Sequence, residues 1–423
     1  MKSFKAGGVS RLAWFAVALL WPVALLNYMD RLLITSMREP IKDSVPMTEA
    51  QFGLLTSVFL WVYGAISPFA GYLADRFSRR RMIIGSLLAW SLFTWLTGRA
   101  QSYHGLFLAR AGMGISEACY LPAALALICD YHRAATRSLA VGLHGTGLYA
   151  GTALGGIGGY LAQYCGWRAG FTISGVFGIG YVFVLMLFLK DTPDRLSYAD
   201  KTPAESEAPS LRLGAAIRSL ATQAGNWLLL GGLVLLGVAV WLIYGWLPTY
   251  LHEHFHLGAG AGGISATGYT QGATVAGLVL GGFWADRWAR INSRGRIFVA
   301  ALGCAIAACG LFVMASTDLL GIAIGSLLIL GLGLGFYSAN TMPILRQVAD
   351  ERYSATGMGI LGGASCFAGG LMTYAGGALR DRRVDLAVSF KATALGVLIA
   401  GLLLLWVQPV EPASSASSLP PKP

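Results

Sequence analysis

Apolar residues in this chain come in long blocks, not at the alternating or three-to-four spacing of a water-soluble fold. Twelve blocks can be marked, at 12–37, 50–74, 82–99, 105–130, 138–163, 169–189, 226–251, 263–286, 296–315, 319–345, 354–379 and 387–408. A helix needs about 20 mostly apolar residues to cross a bilayer, so each block predicts a membrane-spanning α-helix. One long polar, Pro-containing stretch interrupts the pattern. Residues 191–225, with "DTPDRLSYADKTPAESEAPS", read as a linker and divide six blocks from six. The expected organisation is an N-terminal six-helix bundle over 1–190, a cytoplasmic linker over 191–225 and a C-terminal six-helix bundle over 226–410. A disordered tail, "EPASSASSLPPKP", follows over 411–423. The predicted fold class is an all-α membrane protein with twelve transmembrane helices in two pseudo-symmetric bundles.

Composition sharpens this. The chain is 55% hydrophobic and only 12% charged, with a mean hydropathy of +0.61, whereas soluble domains carry about 25% charged residues. The net charge of +11 is read as basic loops that set orientation, not as a nucleic-acid surface. With both termini in the cytoplasm, 21 of the 31 Lys and Arg residues fall on the cytoplasmic side and eight on the other. The cluster Arg380, Arg382, Arg383 and Lys391 stands against that rule. The basic start (Lys2, Lys5, Arg11) leads into a helix too long for a signal peptide, with no small-residue cleavage site.

Several chemistries are not supported. The six cysteines, Cys119, Cys129, Cys165, Cys304, Cys309 and Cys366, form no C-x-x-C pair and are expected to be buried, inert thiols. His252 and His256 have the i, i+4 spacing of metal ligands, but no further ligand pattern accompanies them, so a wet loop is expected and no metal. No nucleotide fingerprint is present, and no nucleophile–base constellation suggests an enzyme. No cofactor is expected; a proton gradient would supply the energy.

Four charges do not fit an apolar span. In "LLNYMDRLLI" Asp30 and Arg31 lie well inside the first block, and Arg110 and Glu117 lie inside the fourth. A charge at such depth costs roughly 2.5–3.5 kcal/mol even on the gentlest scale. Arg110 and Glu117 are seven residues apart, so they share a helix face about 10 Å apart along the axis, and the four charges are expected to line one polar wall. Such groups mark ion pathways and proton relays. The alternative, a self-neutralising staple between two helices, is weaker, because burying an ion pair gains little stability. In the C-terminal half, aligning "GMGISEACYLP" with "GLGFYSANTMP" sets Ser338 against Glu117. That half offers neutral groups instead: Trp241, Tyr244, Tyr269, Gln271, Tyr337, Asn340 and Ser365. Gly147, Gly151, Gly155 and Gly159 recur every four residues, a stripe for close helix packing.

The two halves also echo each other. "GYLADRFSRRR" (71–81) and "GFWADRW" (282–288) each read Gly-x-x-Ala-Asp-Arg-aromatic, with Asp75 and Asp286 half a chain apart. Repeats of this kind place a site near the midplane between bundles. "GYLADRFSRRR" resembles the loop 2–3 motif of the major facilitator superfamily. The resemblance implies a gating role for Gly71, Asp75, Arg76, Arg80, Asp286 and Arg287.

"NYMDR" in the first helix, "R-x-x-x-G-x-x-E-A" from Arg110 to Ala118, and "TGLYAGTALGGIGGYLAQYCGWRAGF" are similar to the anion:cation symporters of that superfamily. That resemblance implies proton-coupled symport of a small organic anion, a sugar acid or other carboxylate. Asp30 and Glu117 would be the protonatable pair, and Arg31 and Arg110 would bind the substrate carboxylate. Asn27, Tyr28, Tyr149, Tyr244, Gln271 and Asn340 would complete the substrate site. The expected partners are the anion, protons and the lipid bilayer, with no nucleic acid, and the expected state is a monomer in a bacterial inner membrane. Spinster-type lipid and lysolipid transporters share "NYMDR" and an Arg–Glu pair seven residues apart, and are the alternative reading. "WLPTYL" and "MPILRQV" favour the anion symporters. A non-transporting membrane sensor ranks last, because linker and tail contain no evident signalling segment.

Overall fold

The computed structural model describes residues 6–132, 134–191, 224–348 and 354–408. Most of the linker (192–223) and the tail (411–423) lie outside the described residues, as do the side chains of Gly71, Asp75 and Arg76. The described elements are helices: α1 (Ala6–Ser36), α2 (Arg38–Ser44), α3 (Glu49–Arg76), α4 (Arg79–Arg99), α5 (Tyr103–Ala118), α6 (Tyr120–Tyr131), α7 (Ala134–Gly155), α8 (Gly158–Cys165) and α9 (Trp167–Phe188) in the first half. In the second half they are α10 (Ala224–His254), α11 (Ala259–Ile264), a π-helical turn (Ser265–Tyr269), α12 (Thr270–Ala289), α13 (Gly295–Met314), α14 (Leu320–Val348), α15 (Ser354–Asp381) and α16 (Leu386–Leu405).

Eight of these stretches are long and apolar enough to cross a membrane by length and composition. The remaining expected blocks fall in α4, α7–α8, α11–α12 and α15, which are helical but richer in glycine and polar residues. Local chemistry sets several helix starts. Thr48 and Gln51 form a reciprocal capping box on α3. Ser78, Ser102 and Asp385 each accept a backbone N–H at the starts of α4, α5 and α16.

Three expected blocks are interrupted. The fourth divides at Cys119, between α5 and α6; Pro122 has no N–H to give the carbonyl of Ala118, so the ladder breaks there. The fifth divides after Gly155, and the eighth carries the π turn, which ends at Tyr269, two residues before Gln271. Mid-helix π turns often occur at functional sites.

The start of α1 and the end of α16 mark one end of the bundle, called here the terminal end. There Tyr131 Oη donates to the Lys190 carbonyl (2.8 Å), Ser78 to Asp191 (2.6 Å) and Arg294 to the Leu405 carbonyl. The opposite, distal end gathers residues 38–49, 100–103, 166–168, 253–259 and 380–385; Trp167 Nε1, for instance, donates to Ser44 Oγ at 2.6 Å.

The glycine stripe does what its spacing implies. A methyl added at Gly147, Gly151 or Gly155 would come within 3.0 Å of the Trp21 carbonyl, the Leu25 carbonyl or Leu32 Cβ, so α7 lies directly on α1. Gly159 meets the backbone of Ala259 in the other half. Across the halves, α3 lies along α15. Ser57 Oγ donates to the Gly370 carbonyl (2.6 Å) and Trp61 Nε1 to that of Phe367 (3.1 Å). Thr267 Oγ1 donates to the Ala153 carbonyl (2.8 Å). These links and the closest backbone approaches concentrate toward the distal end, which is shut.

The cysteine expectation needs correction. All six thiols are free, but of them only Cys304 is buried; Cys165 and Cys309 are exposed and the other three half-buried. In a bundle whose rim faces lipid, a place in an apolar helix does not imply a place in the core.

Candidate functional site

The deep charges converge between α1 and α5. Arg31 Nε donates to Glu117 Oε2 at 2.6 Å, and Arg31 Nη2 to Asn27 Oδ1 at 2.8 Å. Asn27 is one turn before Arg31 on α1, so the two side chains share a face. Aromatic rings surround the guanidinium: its carbon lies 4.5 Å from the ring centroids of Tyr28 and Tyr63 and 5.1 Å from that of Phe59. Ring faces attract a cation that has lost its water.

Arg110 is placed differently. It donates to the carbonyls of Leu55 and Arg31 (both 3.3 Å) and to Met113 Sδ (3.2 Å), and lies 4.9 Å from the Phe59 ring. No described carboxylate forms an ion pair with it. Asp30 points to the other side of α1, where Ser174 Oγ (2.7 Å) and Thr94 Oγ1 (3.3 Å) donate to it. The four charges still form one cluster: Arg110 and Glu117 are each within electrostatic reach of Asp30 and Arg31, and of one another. The expected single polar wall is, however, two-sided, because adjacent residues on a helix point about 100° apart. Asp30 belongs to the α4–α9 side, and Arg31 and Glu117 to the α1–α5 seam. None of the four is more than 4% exposed, so a substrate reaches Arg31 or Arg110 only after a rearrangement.

Toward the other half the site continues in tyrosines. Tyr28 is within electrostatic reach of Tyr63, Tyr149 and Tyr244. The Tyr244 hydroxyl accepts from Gln271 Nε2 at 2.9 Å. Asn27, Tyr28, Arg31, Arg110, Glu117, Tyr149, Tyr244 and Gln271 are thus brought together. Asn340 is buried in α14, where its amide donates to the Phe336 carbonyl (2.9 Å), and no described contact joins it to the rest. Four buried polar atoms here have no protein partner: Asn27 Nδ2, Glu117 Oε1, Gln271 Oε1 and Asn340 Oδ1. Buried polar atoms are ordinarily satisfied, so these are positions where a proton, water or ligand would bind.

Of the gating residues, Gly71, Asp75 and Arg76 lie outside the described side chains. Arg80 donates to the carbonyls of Leu189 and Met186, pinning the end of α9 to the start of α4. Asp286 pairs with Arg296 at the start of α13 (2.6 Å), not with its neighbour Arg287. In the first half a comparable terminal-end pair joins Arg79 and Asp130.

The sequence reading missed two features. Tyr63, Phe59, Thr94 and Ser174 surround the central charges from other helices, and no local pattern marks them. The other is a distal lock. Arg38 Nε donates to Glu49 Oε2 (2.9 Å), and Arg38 Nη1 reaches Glu253 Oε1 in the other half (3.3 Å). Arg380 grips Glu253 with two N–H···O bonds of 2.7 and 2.8 Å and lies 3.6 Å from Glu49. Lys42 also pairs with Glu49. Asp381, at the end of α15, accepts the backbone N–H groups of Glu49 and Ala50 (2.9 Å each), capping α3 from the opposite half. Burial of Asp381 opposes its charged form, but those two N–H donors, the Thr48 hydroxyl and the Lys42 charge together outweigh it and hold its carboxyl below the ordinary 3.8. His252 and His256 form no metal cluster among the described residues.

Comparison with known proteins gives these shapes a context. A family model described as Major Facilitator Superfamily matches residues 20–373. A probable sulfoacetate transporter of Cupriavidus necator is 26% identical over 402 residues, covering 91% of each chain. A probable L-galactonate transporter of Escherichia coli is 27% identical over 313 residues, 71% of this chain and 68% of that one. Among solved structures, a bacterial homolog of the human lysosomal transporter Spinster, in an inward-facing and occupied conformation, superposes with a TM-score of 0.79. It is 21% identical and covers 93% of this chain and 96% of that one.

Proposed function

The chain belongs to the major facilitator superfamily, and on that premise we propose that it is a proton-coupled symporter of a small organic anion, working by alternating access. The observation that carries this reading is the buried Arg31–Glu117 pair beside Arg110, a second guanidinium with no carboxylate partner. Relatives named as probable sulfoacetate and L-galactonate transporters support an anionic cargo.

The coupling follows from charge. While Glu117 is ionised, it occupies Arg31. A proton on Glu117 neutralises it and releases Arg31, which would leave buried positive charge without compensation. Such charge is costly in a span. An incoming carboxylate compensates it and can take both N–H groups of a guanidinium fork. Proton and anion therefore bind best together, and the loaded site is the one cheapest to carry through the closed state. Asp30, held by two hydroxyls on its own side of α1, serves as a second proton site. Tyr28, Tyr149, Tyr244 and Gln271 meet the neutral part of the cargo.

The Lys and Arg distribution supports cytoplasmic termini, and with that orientation the shut distal end faces outward. The ion pairs at the terminal end, Asp286–Arg296 among them, then belong to the cytoplasmic gate. Uptake of labelled sugar acids, sulfoacetate and a lysolipid into proteoliposomes under an inward proton gradient tests the proposal. The expected result is gradient-dependent accumulation of at least one of the anions; lysolipid transport alone would replace this reading with the lipid-transporter one.

A further inference from the structure

We propose that the distal end carries a second anion site, built on Arg383 and Arg380, whose occupation releases the distal lock. A hollow of about 400 Å³ opens there, lined by Tyr250, Glu253, His254, Arg380, Arg383 and Asp385, with apolar walls beside them. Its two carboxylates are already engaged. Glu253 is held by both Nη atoms of Arg380 and approached by Arg38. Asp385 caps α16 through the N–H of Ala387 at 2.8 Å. Arg383 has no such partner; no described residue forms an ion pair with it. The basic cluster that broke the orientation rule thus leaves a free guanidinium in a solvent-open hollow, next to an arginine whose carboxylate partner is itself 40% exposed.

The backbone shows a cost at the same residue. α15 ends in a Schellman turn: the Val384 N–H donates to the Leu379 carbonyl (3.0 Å) and the Arg383 N–H to that of Arg380 (2.8 Å). The residue at this position takes a left-handed conformation and is usually glycine. Here it is Arg383, with φ of 60°. A strained conformation at a residue that lines a hollow and lacks a partner fits a role for its side chain.

A carboxylate entering the hollow meets Arg383 first. It then competes with Glu49 of the other half for the remaining N–H edge of Arg380, because one guanidinium edge donates to one carboxylate at a time. With the lock closed, Glu49 of the other half stands 3.6 Å from Arg380; with the lock open that carboxylate is withdrawn, and only Glu253 of the same half remains on Arg380. The anion therefore binds the distally open state more tightly and shifts the population toward it. In this way an anion outside the cell would promote the opening it needs. The identity of the ligand as the transported anion rests on the function proposed above; the site itself does not.

The test uses the full-length chain in nanodiscs, with native cysteines replaced and nitroxide labels at Asp43→Cys and Ser316→Cys, exposed positions at the distal end of the two halves. Inter-label distances are measured in sodium acetate and in sodium chloride at matched ionic strength. Acetate is the probe because it needs only the carboxylate chemistry of the hollow. The parent should gain a longer-distance population in acetate. Arg110→Gln, which disables the central site, should keep that response. Arg383→Lys should keep it in weaker form, and Arg383→Gly should lose it. Glycine suits the left-handed turn, so Arg383→Gly should melt no lower than the parent, which separates loss of the site from loss of the fold. An absent acetate response in the parent, an intact one in Arg383→Gly, or one abolished by Arg110→Gln overturns the proposal. If the chain takes up no anion at all, the function proposed above fails while the acetate response still decides this one.

Discussion

Arg31 Nε donates to Glu117 Oε2 at 2.6 Å, tying α1 to α5 within the membrane-spanning part of the protein, and neither side chain is more than 4% exposed. The pair is closed on one side only: Glu117 Oε1 has no protein partner. A carboxylate built solely as a staple would have both oxygens satisfied. The half-satisfied pair is a place where a proton can bind and break the bond.

Glu117→Gln mimics the protonated carboxyl and keeps a polar side chain beside Arg31. It should abolish proton-driven accumulation while sparing exchange of substrate across the membrane. Counterflow measured beside gradient-driven uptake at equal expression decides this; accumulation at the parental level would remove Glu117 from the coupling role.

Glu117→Leu should behave differently. It strands the Arg31 charge in an apolar setting, and breaking a buried pair from one side costs about 3–5 kcal/mol. Thermal unfolding in detergent should show a clearly lower midpoint for Glu117→Leu than for Glu117→Gln. The double variant Arg31→Met/Glu117→Leu should recover much of the loss, because no unpaired charge remains.

The distal lock predicts a shift of conformers. Arg38→Gln removes the guanidinium that bonds Glu49 and Glu253, and Glu49→Gln the carboxylate that holds Arg38 and Lys42 and lies by Arg380. The distally open population should rise in either variant. Reactivity of a distal-end cysteine pair toward a short bifunctional cross-linker should fall accordingly; unchanged cross-linking would mean that backbone packing of α3 on α15 alone holds the end shut.

Asp381 has a defined pH dependence. Its folded-state pKa lies below 3.8, so its contribution is fully present above the unfolded value near 3.8. It is lost as pH falls through the lower, folded value. Between pH 5 and 8 the cap of Asp381 on α3 should therefore be constant, as should the advantage over Asp381→Asn. That advantage should be about 0.5–1 kcal/mol, the low end of the capping range, and should shrink only in strong acid. A melting-temperature difference between parent and variant that varied around neutral pH would contradict this.

Glycines of α7 should divide by face. Gly151→Val drives side-chain atoms into the Leu25 backbone and should destabilise by about 1–3 kcal/mol, as overpacking does. A Cβ at Gly142 or Gly145 meets nothing within 4 Å, so alanine there should be neutral or stabilising by about 0.5–1 kcal/mol through helix propensity. Detergent melting curves of the three variants give the order.

Much of this protein was legible in one dimension. Spanning helices announce themselves because lipid satisfies no backbone hydrogen bond, so each block must be apolar and largely helical. The Asp30, Arg31, Arg110 and Glu117 cluster was legible for the converse reason: charge is so costly in a span that its presence is a signal. The glycine stripe was legible because a period of four keeps one helix face, and that face did meet α1.

What only the tertiary structure decided is which partner each group takes. Seven-residue spacing put Arg110 and Glu117 on one face, yet Glu117 pairs with Arg31, because α1 presents Arg31 at its level. Asp30, one residue away, turns to Thr94 and Ser174 on other helices. The breaks at Cys119 and at the π turn before Gln271 leave little trace in hydropathy, since a kinked span is as apolar as a straight one. The distal lock was invisible for a different reason. Arg38, Glu49, Glu253 and Arg380 are ordinary loop-end charges in sequence, and they become a lock only because two halves, over 200 residues apart, close on each other there. Apolar periodicity follows from the bilayer acting on each segment alone, whereas charge pairing across bundles depends on how distant segments are placed.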